Sequence, residues 1–359
     1  MKRFQIVLIV IPLLYWAGCG DDENEDNEGN PVISGRTIYI VGSDGGGACY
    51  WVNGSRVELS GGAWATDIVV VDGTVYISGQ ADITTTYEAC YWINQEIYEL
   101  PGNGGEAEAI AVDGDDVYVA GWFNNGSCYW KNGERINLTT NAESQAFAIG
   151  VRNNGSVYIG GYYMNNHHYI IPCFWKDGNN RTNLPVPTHG DGEVYDITFD
   201  EAGNMRYYAG FTMKPDNLTG YAPKAARWRH TVRTDLPDGT SDISLYGTGS
   251  YGITIDGEDI YVAGYTDWIG DYNDDNTGGT FPRYWKNNTV HDLEGGPNTL
   301  FGTGQANDIR VADGNVVVVG IATGGPTGES ACYWLNGELH YLEDVIGEYF
   351  SEAKGVFIE

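Results

Sequence analysis

Positive charge is what this chain has least of. Its 359 residues carry 19 Lys and Arg against 49 Asp and Glu, a formal net charge of −30. With no basic patch to displace counterions from phosphates, nucleic acid is excluded as a general partner. Long apolar runs are missing too: the one run, Phe4 to Trp16, falls short of the roughly 20 apolar residues that span a bilayer. His-Glu-x-x-His, Gly-x-Ser-x-Gly and a phosphate-cradling glycine loop are all absent, which removes common signatures of zinc, serine and nucleotide chemistry. What is present is 42% hydrophobic content, 51 glycines and 26 tyrosines. That is enough apolar matter for a core and excludes an acidic disordered chain. Glycine-rich turns between aromatic strands point to an all-β fold.

One hairpin recurs along the chain, closing on Leu59, Leu100, Leu138, Leu184, Leu236, Leu293 and Leu342. It carries Trp51, Trp92, Trp130, Trp175, Trp228, Trp285 and Trp334, seven of the eleven tryptophans. A second hairpin alternates with it, as in Ala107 to Gly121, and both turn through Asp-Gly or Asn-Gly pairs, the strongest short-range hairpin signal. Its closing glycines, Gly42, Gly79, Gly121, Gly161, Gly210, Gly264 and Gly320, recur every 37 to 56 residues. Four short strands per unit of that length is the arithmetic of a β-propeller blade. The first unit lacks its opening Ala-x-x-Ile-x-Val strand, and Ala353 to Ile358 supplies one at the other end. The sequence therefore predicts a seven-bladed propeller with four-stranded blades over 36–359. The C-terminal strand 353–358 completes blade one and removes the exposed edges.

The N-terminus reads as an address. Lys2 and Arg3, the apolar run and the small residues Ala17 and Gly18 form a secretory signal over 1–18. Ala-Gly-Cys19 resembles the lipobox of bacterial lipoproteins, in which the cysteine is lipidated and becomes the new N-terminus. Six acids and no hydrophobe follow within residues 20–30, so 19–35 reads as a solvated, self-repelling tether. That acidic run also resembles the surface-export signal of Bacteroidota lipoproteins. The resemblance implies an outer-membrane anchor through lipid on Cys19, with the protein facing outward.

The repeat itself resembles the HAF-type extracellular repeat: an aromatic-Trp-x-x-Gly hairpin, a Leu, then Ala-x-x-Ile and a glycine-containing strand. The likeness covers nearly all of 37–358, with Arg227 where Tyr is usual in blade five and Arg283 where Cys is usual in blade six. It implies fold and export; the family carries no agreed chemistry.

Residues repeated in every blade are expected to be architecture. The seven tryptophans should pack between blades, each burying about 150–250 Å². Cys49, Cys90, Cys128, Cys173 and Cys332 share one repeat position. Neighbouring blades stand roughly 10 Å apart, too far for a disulfide, so these read as buried small hydrophobes. Asp67, Asp196 and Asp308 each precede the Ile of a first strand and read as hydrogen-bonded packing residues.

Function is expected on the variable face, where second-to-third strand loops and inter-blade crossovers lie. The within-blade loops lengthen at 162–172, 211–224 and 265–281 in blades four to six. That asymmetry predicts a trough beside the central channel. The candidate ligand residues there are Trp122, Phe123, Tyr162, Tyr163, His168, Tyr265, Trp268 and Tyr272. Their rings suit the C–H face of a sugar beside acids and amides that take its hydroxyls; the plain alternative is that they pack one another to order long loops. Asp271, Asn273 and Asp275 offer oxygens at alternate positions for calcium. Gly is missing at the turn and Pro282 stands where a bidentate Glu belongs, so this is no EF-hand, and a solvated acidic loop is the other reading. No other cofactor is implied, and the Ser-x-Asp-x-Gly-x-x-Trp box of sialidase-like propellers is absent. The expected role is a non-catalytic binding module for an extracellular glycan or a protein partner. A glycan hydrolase or lyase using loop Asp or His residues, and a scaffold in an envelope complex, are the alternatives. Two carboxylates converging in one pocket would favour the enzyme.

Overall fold

A computed structural model describes residues 32–359 except 84–85, 103, 125, 140–142, 188–189, 217–219, 239–244, 270–277, 296–302, 326–327 and 344–349. Cys19, and the candidates Tyr272, Asp271, Asn273 and Asp275, lie outside the described residues. Seven antiparallel sheets of four strands form the propeller. In six blades the strands follow in chain order from the innermost outward. In blade one the innermost strand is Glu352–Ile358, paired with Ile38–Asp44. The closure is sealed at its end by reciprocal backbone bonds between Thr37 and Glu359, both 3.0 Å. Ile33 is 5% exposed within the core shared by blades seven and one.

The tight turns explain their own residues. Asn53, Asn132 and Asn336 adopt φ near +50°, which asparagine tolerates better than most side chains. Their Oδ1 atoms accept an N–H at the start of the second strand, from Ile38, Val117 and Val316, at 2.9, 2.8 and 2.9 Å. Asp177 does the same for Val157 at 2.9 Å. One residue thus makes the turn and satisfies a strand end.

The apolar residues gather into seven clusters, one at each junction between adjacent blades, and each holds one repeat tryptophan. All seven tryptophans are at most 1% exposed. Five also donate their indole N–H across the junction, to the carbonyl of the residue after the preceding blade's closing Leu. Trp228 reaches Pro185 at 2.9 Å, Trp285 reaches Pro237 at 2.8 Å and Trp334 reaches Glu294 at 2.8 Å. The five repeat cysteines are buried and none forms a disulfide among the described residues.

The two long loops of blades five and six are largely strand. Arg206–Asp216 and Gly220–Arg229 continue the ladder well past the usual length, as do Asp259–Ile269 and Gly278–Lys286. The pairing runs to Asp216 with Gly220 and to Ile269 with Gly278, so the described parts of the insertions extend sheets.

Candidate functional site

Each innermost strand carries a β-bulge at the same repeat position. The register skips Thr66, Glu108, Phe147, Tyr195 and Asn307 in blades two, three, four, five and seven. It skips Lys354 in blade one, and Tyr251 with Gly252 in blade six. A bulged residue has no ladder partner and is re-aimed by the local bend. All seven of these side chains line one cavity of about 260 Å³ in the central channel.

The closing glycines make the bulges possible. The bulge pushes the carbonyl of Glu352, Trp64, Glu106, Gln145, Glu193, Gly249 or Gln305 toward the partner strand. A Cβ added at Gly42, Gly79, Gly121, Gly161, Gly210, Gly264 or Gly320 would meet that oxygen closer than 3.0 Å in every blade. The glycine that sets the sequence period is therefore the space into which the bulge folds.

The ring is divided. Blades four to six present Phe147, Tyr195 and Tyr251, continued by ring contacts into Tyr162 and Tyr265. Centroid separations are 6.0 Å for Tyr162–Phe147, 5.1 Å for Phe147–Tyr195, 5.0 Å for Tyr195–Tyr251 and 5.7 Å for Tyr251–Tyr265. Blades seven, one, two and three present Asn307, Lys354, Thr66 and Glu108. Lys354 Nζ donates to Glu352 Oε1 at 2.6 Å, Asn307 Nδ2 donates to the same oxygen at 3.0 Å, and Gln305 Nε2 donates to Asn307 Oδ1 at 2.7 Å.

One step deeper stand the three aspartates, and each staples two blades. Asp67 Oδ1 accepts from Ile68 N–H of its own strand at 2.8 Å and Oδ2 from Ile110 N–H of blade three at 3.0 Å. Asp196 joins Ile197 to Ile253 of blade six, both at 2.7 Å. Asp308 joins Ile309, 2.7 Å, to Val356 of the closing strand, 3.0 Å. The packing role expected of them is what the geometry gives. Arg310 Nη1 binds Asp308 Oδ1 at 2.7 Å and feels the charges of Asp196 and Asp67. It is surrounded by protein yet keeps 29% of its side chain open to the channel.

Four carboxyls in this small space hold their protons tightly. Burial, reinforced by Asp308, pushes Asp196 up to about 8, and burial pushes Asp67 up to about 6 against the N–H of Ile110. Burial also raises Asp308, with Arg310 opposing. Burial, then the charge of Glu106, pushes Glu108 up to about 7, with Lys354 and a hydrogen bond from Trp122 opposing. The folded state therefore binds more protons than the unfolded chain from the ordinary carboxylate range up to these values. Stability from these groups is full at low pH and falls as pH rises from about 4 to 8. The thermal midpoint of Asp196→Asn is expected to fall less than that of the native chain between pH 5 and 8, and parallel curves would dismiss Asp196 as a source.

Of the residues singled out from sequence, Trp122 reaches this site through Glu108, Tyr162 through Phe147 and Tyr265 through Tyr251. Phe123 lies elsewhere, in an outer groove beneath the Arg135 guanidinium at 4.2 Å. Tyr163 lines a second outer groove, with Arg181 over its ring at 3.3 Å. His168 is an exposed turn residue at φ +62°, its N–H donated to Asn165 at 2.9 Å. The Trp268 backbone pairs with Gly279; its side chain lies outside the described residues. Phe147, Tyr195, Tyr251, Glu108, Asn307, Lys354 and Arg310 escaped sequence reasoning. The available signal was the first x of Ala-x-x-Ile, a position that varies in chemistry from blade to blade inside an otherwise repeated motif.

No protein-family model matches this chain, and no curated protein matches it in sequence. Among solved structures it is similar to the β-propeller domain of the trilobed protease from Pyrococcus furiosus. That match has TM-score 0.50 and 10% identity, covering 86% of this chain and 92% of that one. It is also similar to the extracellular domain of a one-component system from B. thetaiotaomicron, with TM-score 0.47 and 9% identity. There 84% of this chain matches 38% of the other, so the chain spans well under half of that protein. A polysaccharide lyase, an ulvan lyase, aligns with TM-score 0.47 and 11% identity over 80% of this chain and 83% of its own. At these identities the likeness is one of fold.

Proposed function

We propose that this propeller is a non-catalytic binding module that takes one unit of an extracellular glycan into its central channel. The observation that carries the reading is the divided ring of bulged residues. Rings on blades four to six offer faces for a pyranose, and acids and amides on the facing blades take hydroxyls, as in other small-ligand sites. The cavity's 260 Å³ is just below the roughly 300–1,000 Å³ usual for small-molecule pockets, which suits a single sugar ring. Glycan-array binding by the full chain is expected to be saturable and to weaken at least about tenfold in Tyr195→Ala, a loss of about 1.4 kcal/mol. Phe123→Ala, in the outer groove, is expected to bind as the native chain does. Absence of binding to any glycan would turn the reading to a scaffold in an envelope complex.

One observation favours the enzyme alternative: Glu108, raised to about 7 beside Glu106, has the protonation of a general acid. Release of reducing ends by the native chain, lost in Glu108→Gln with binding kept, would establish a hydrolase over a binding module.

We read the protein as held at the outer membrane, facing outward, by lipid on Cys19. The support is the lipobox-like Ala17-Gly18-Cys19 and the acidic run behind it. Labelled fatty acid should enter the native protein in a bacterial host and not Cys19→Ala, and equal labelling would remove the anchor from this reading.

A further inference from the structure

The cavity is short of positive charge where it faces the rings. Its lining includes Asp67, Glu108, Asp196 and Asp308 but only two cations, Arg310 and Lys354. Both cations are already engaged, Arg310 with Asp308 and Lys354 with Glu352, at 2.7 and 2.6 Å. The three aspartates spend their oxygens on backbone N–H groups of two blades. Glu108 remains. Among the described residues no Lys, Arg or His nitrogen stands within 4.0 Å of it or of Glu106 beside it. The same cavity is walled on blades four to six by Phe147, Tyr195 and Tyr251. A carboxyl without an ion-pair partner, lining a ligand-sized space together with aromatic rings, is the chemistry that holds an organic ammonium. The net charge of −30 adds a field that draws cations into a low-dielectric cleft.

We infer that the unit bound in the channel carries a free amine: an amino sugar whose ammonium sits on Glu108 and whose C–H face lies on Tyr195 and Tyr251. This rests on the channel-binding reading and specifies its ligand. An N-acylated sugar would bury an amide where the site offers negative charge, so the site selects the unacylated form. Rings and acid have separate jobs: the rings accept any pyranose, and Glu108 discriminates.

The test is calorimetric titration of the full chain with three probes: glucosamine, N-acetylglucosamine and benzylamine. Glucosamine is expected to bind at least tenfold tighter than N-acetylglucosamine in low salt, with the advantage shrinking severalfold on tenfold more salt. Glu108→Gln, close to isosteric and checked by its melting curve, is expected to abolish that preference while neutral-sugar binding persists. Equal affinity for the two sugars, or a preference kept in Glu108→Gln, overturns the inference and leaves a neutral sugar site standing. Benzylamine binding as tightly as glucosamine, with no response to N-acetylglucosamine, overturns the sugar reading and the amino-sugar assignment with it, leaving an amine site. Silence from all three probes overturns both readings.

Discussion

A Gly210→Ala chain is expected to melt about 6–12 °C below the native one and to lose ligand binding at the same time. Gly210 stands opposite the bulge of Tyr195, and an added Cβ would collide with the Glu193 carbonyl and crowd Val194 Cα. Backbone is on both sides of the conflict, so neither can yield as a flexible side chain does. Overpacking of this kind costs about 3 kcal/mol, and a domain of this size loses roughly 2–4 °C per kcal/mol. The double effect is the distinguishing part: relieving the clash means flattening the bulge, which takes Tyr195 out of the channel. Gly257 makes the contrast. It is a glycine because its turn needs φ +59°, and nothing stands within 4 Å of an added Cβ. Gly257→Ala should cost only about 1 kcal/mol of backbone strain and leave binding intact. Calorimetric melting and titration of both variants would decide, and a Gly210→Ala chain that melts and binds normally would sink the argument.

Asp308→Ala is the second large effect, about 3–5 kcal/mol, because it removes the staple on the closing strand, which is joined to the rest of blade one by hydrogen bonds alone. Asp67 binds the N–H groups of Ile68 and Ile110 on two ordinary blades, and its loss strands no bonded arginine. Blades seven and one meet through the closing strand, where Asp308 holds Val356. The substitution also strips Arg310 of its bonded carboxylate, and an enclosed charge left without its partner is strongly destabilising. Asp67→Ala should therefore cost clearly less. Adding Arg310→Met to Asp308→Ala should recover part of the loss by removing the stranded cation. Denaturant titration of the four chains tests both statements. A double variant weaker than the single, or equal losses at Asp67 and Asp308, would refute them.

The scaffold was legible because repetition turns weak signals into a count. Seven tryptophans, seven closing glycines and a strand missing from one end and present at the other gave blade number and closure. The buried state of Cys173 followed from sheet spacing. The site was mostly illegible for the same reason. Tyr195, Tyr251 and Glu108 occupy a position whose chemistry varies around the ring, so no repeat marks it, and the bulge that turns them inward is a register event without residue signature of its own. The loops drew attention instead. Tyr162 and Tyr265 belong to the aromatic arc because they sit on second strands beside the bulges, whereas Phe123 and Tyr163 come one residue later and face outer grooves. In β structure that single step reverses the face. Blades four to six carry the aromatic arc, and Arg206–Asp216 and Asp259–Ile269 show that their insertions lengthen strands.

A bulged residue owes nothing to the hydrogen-bond ladder beside it, and the glycine opposite gives it room whatever its size. Thr66, Phe147 and Lys354 hold the same post with three unrelated chemistries and the same backbone around them. The channel's selectivity is thus written in seven separately editable letters, each changeable by one codon without rewriting its blade. A lineage that duplicates blades inherits the frame and is free to respell the word, and an engineer can do the same.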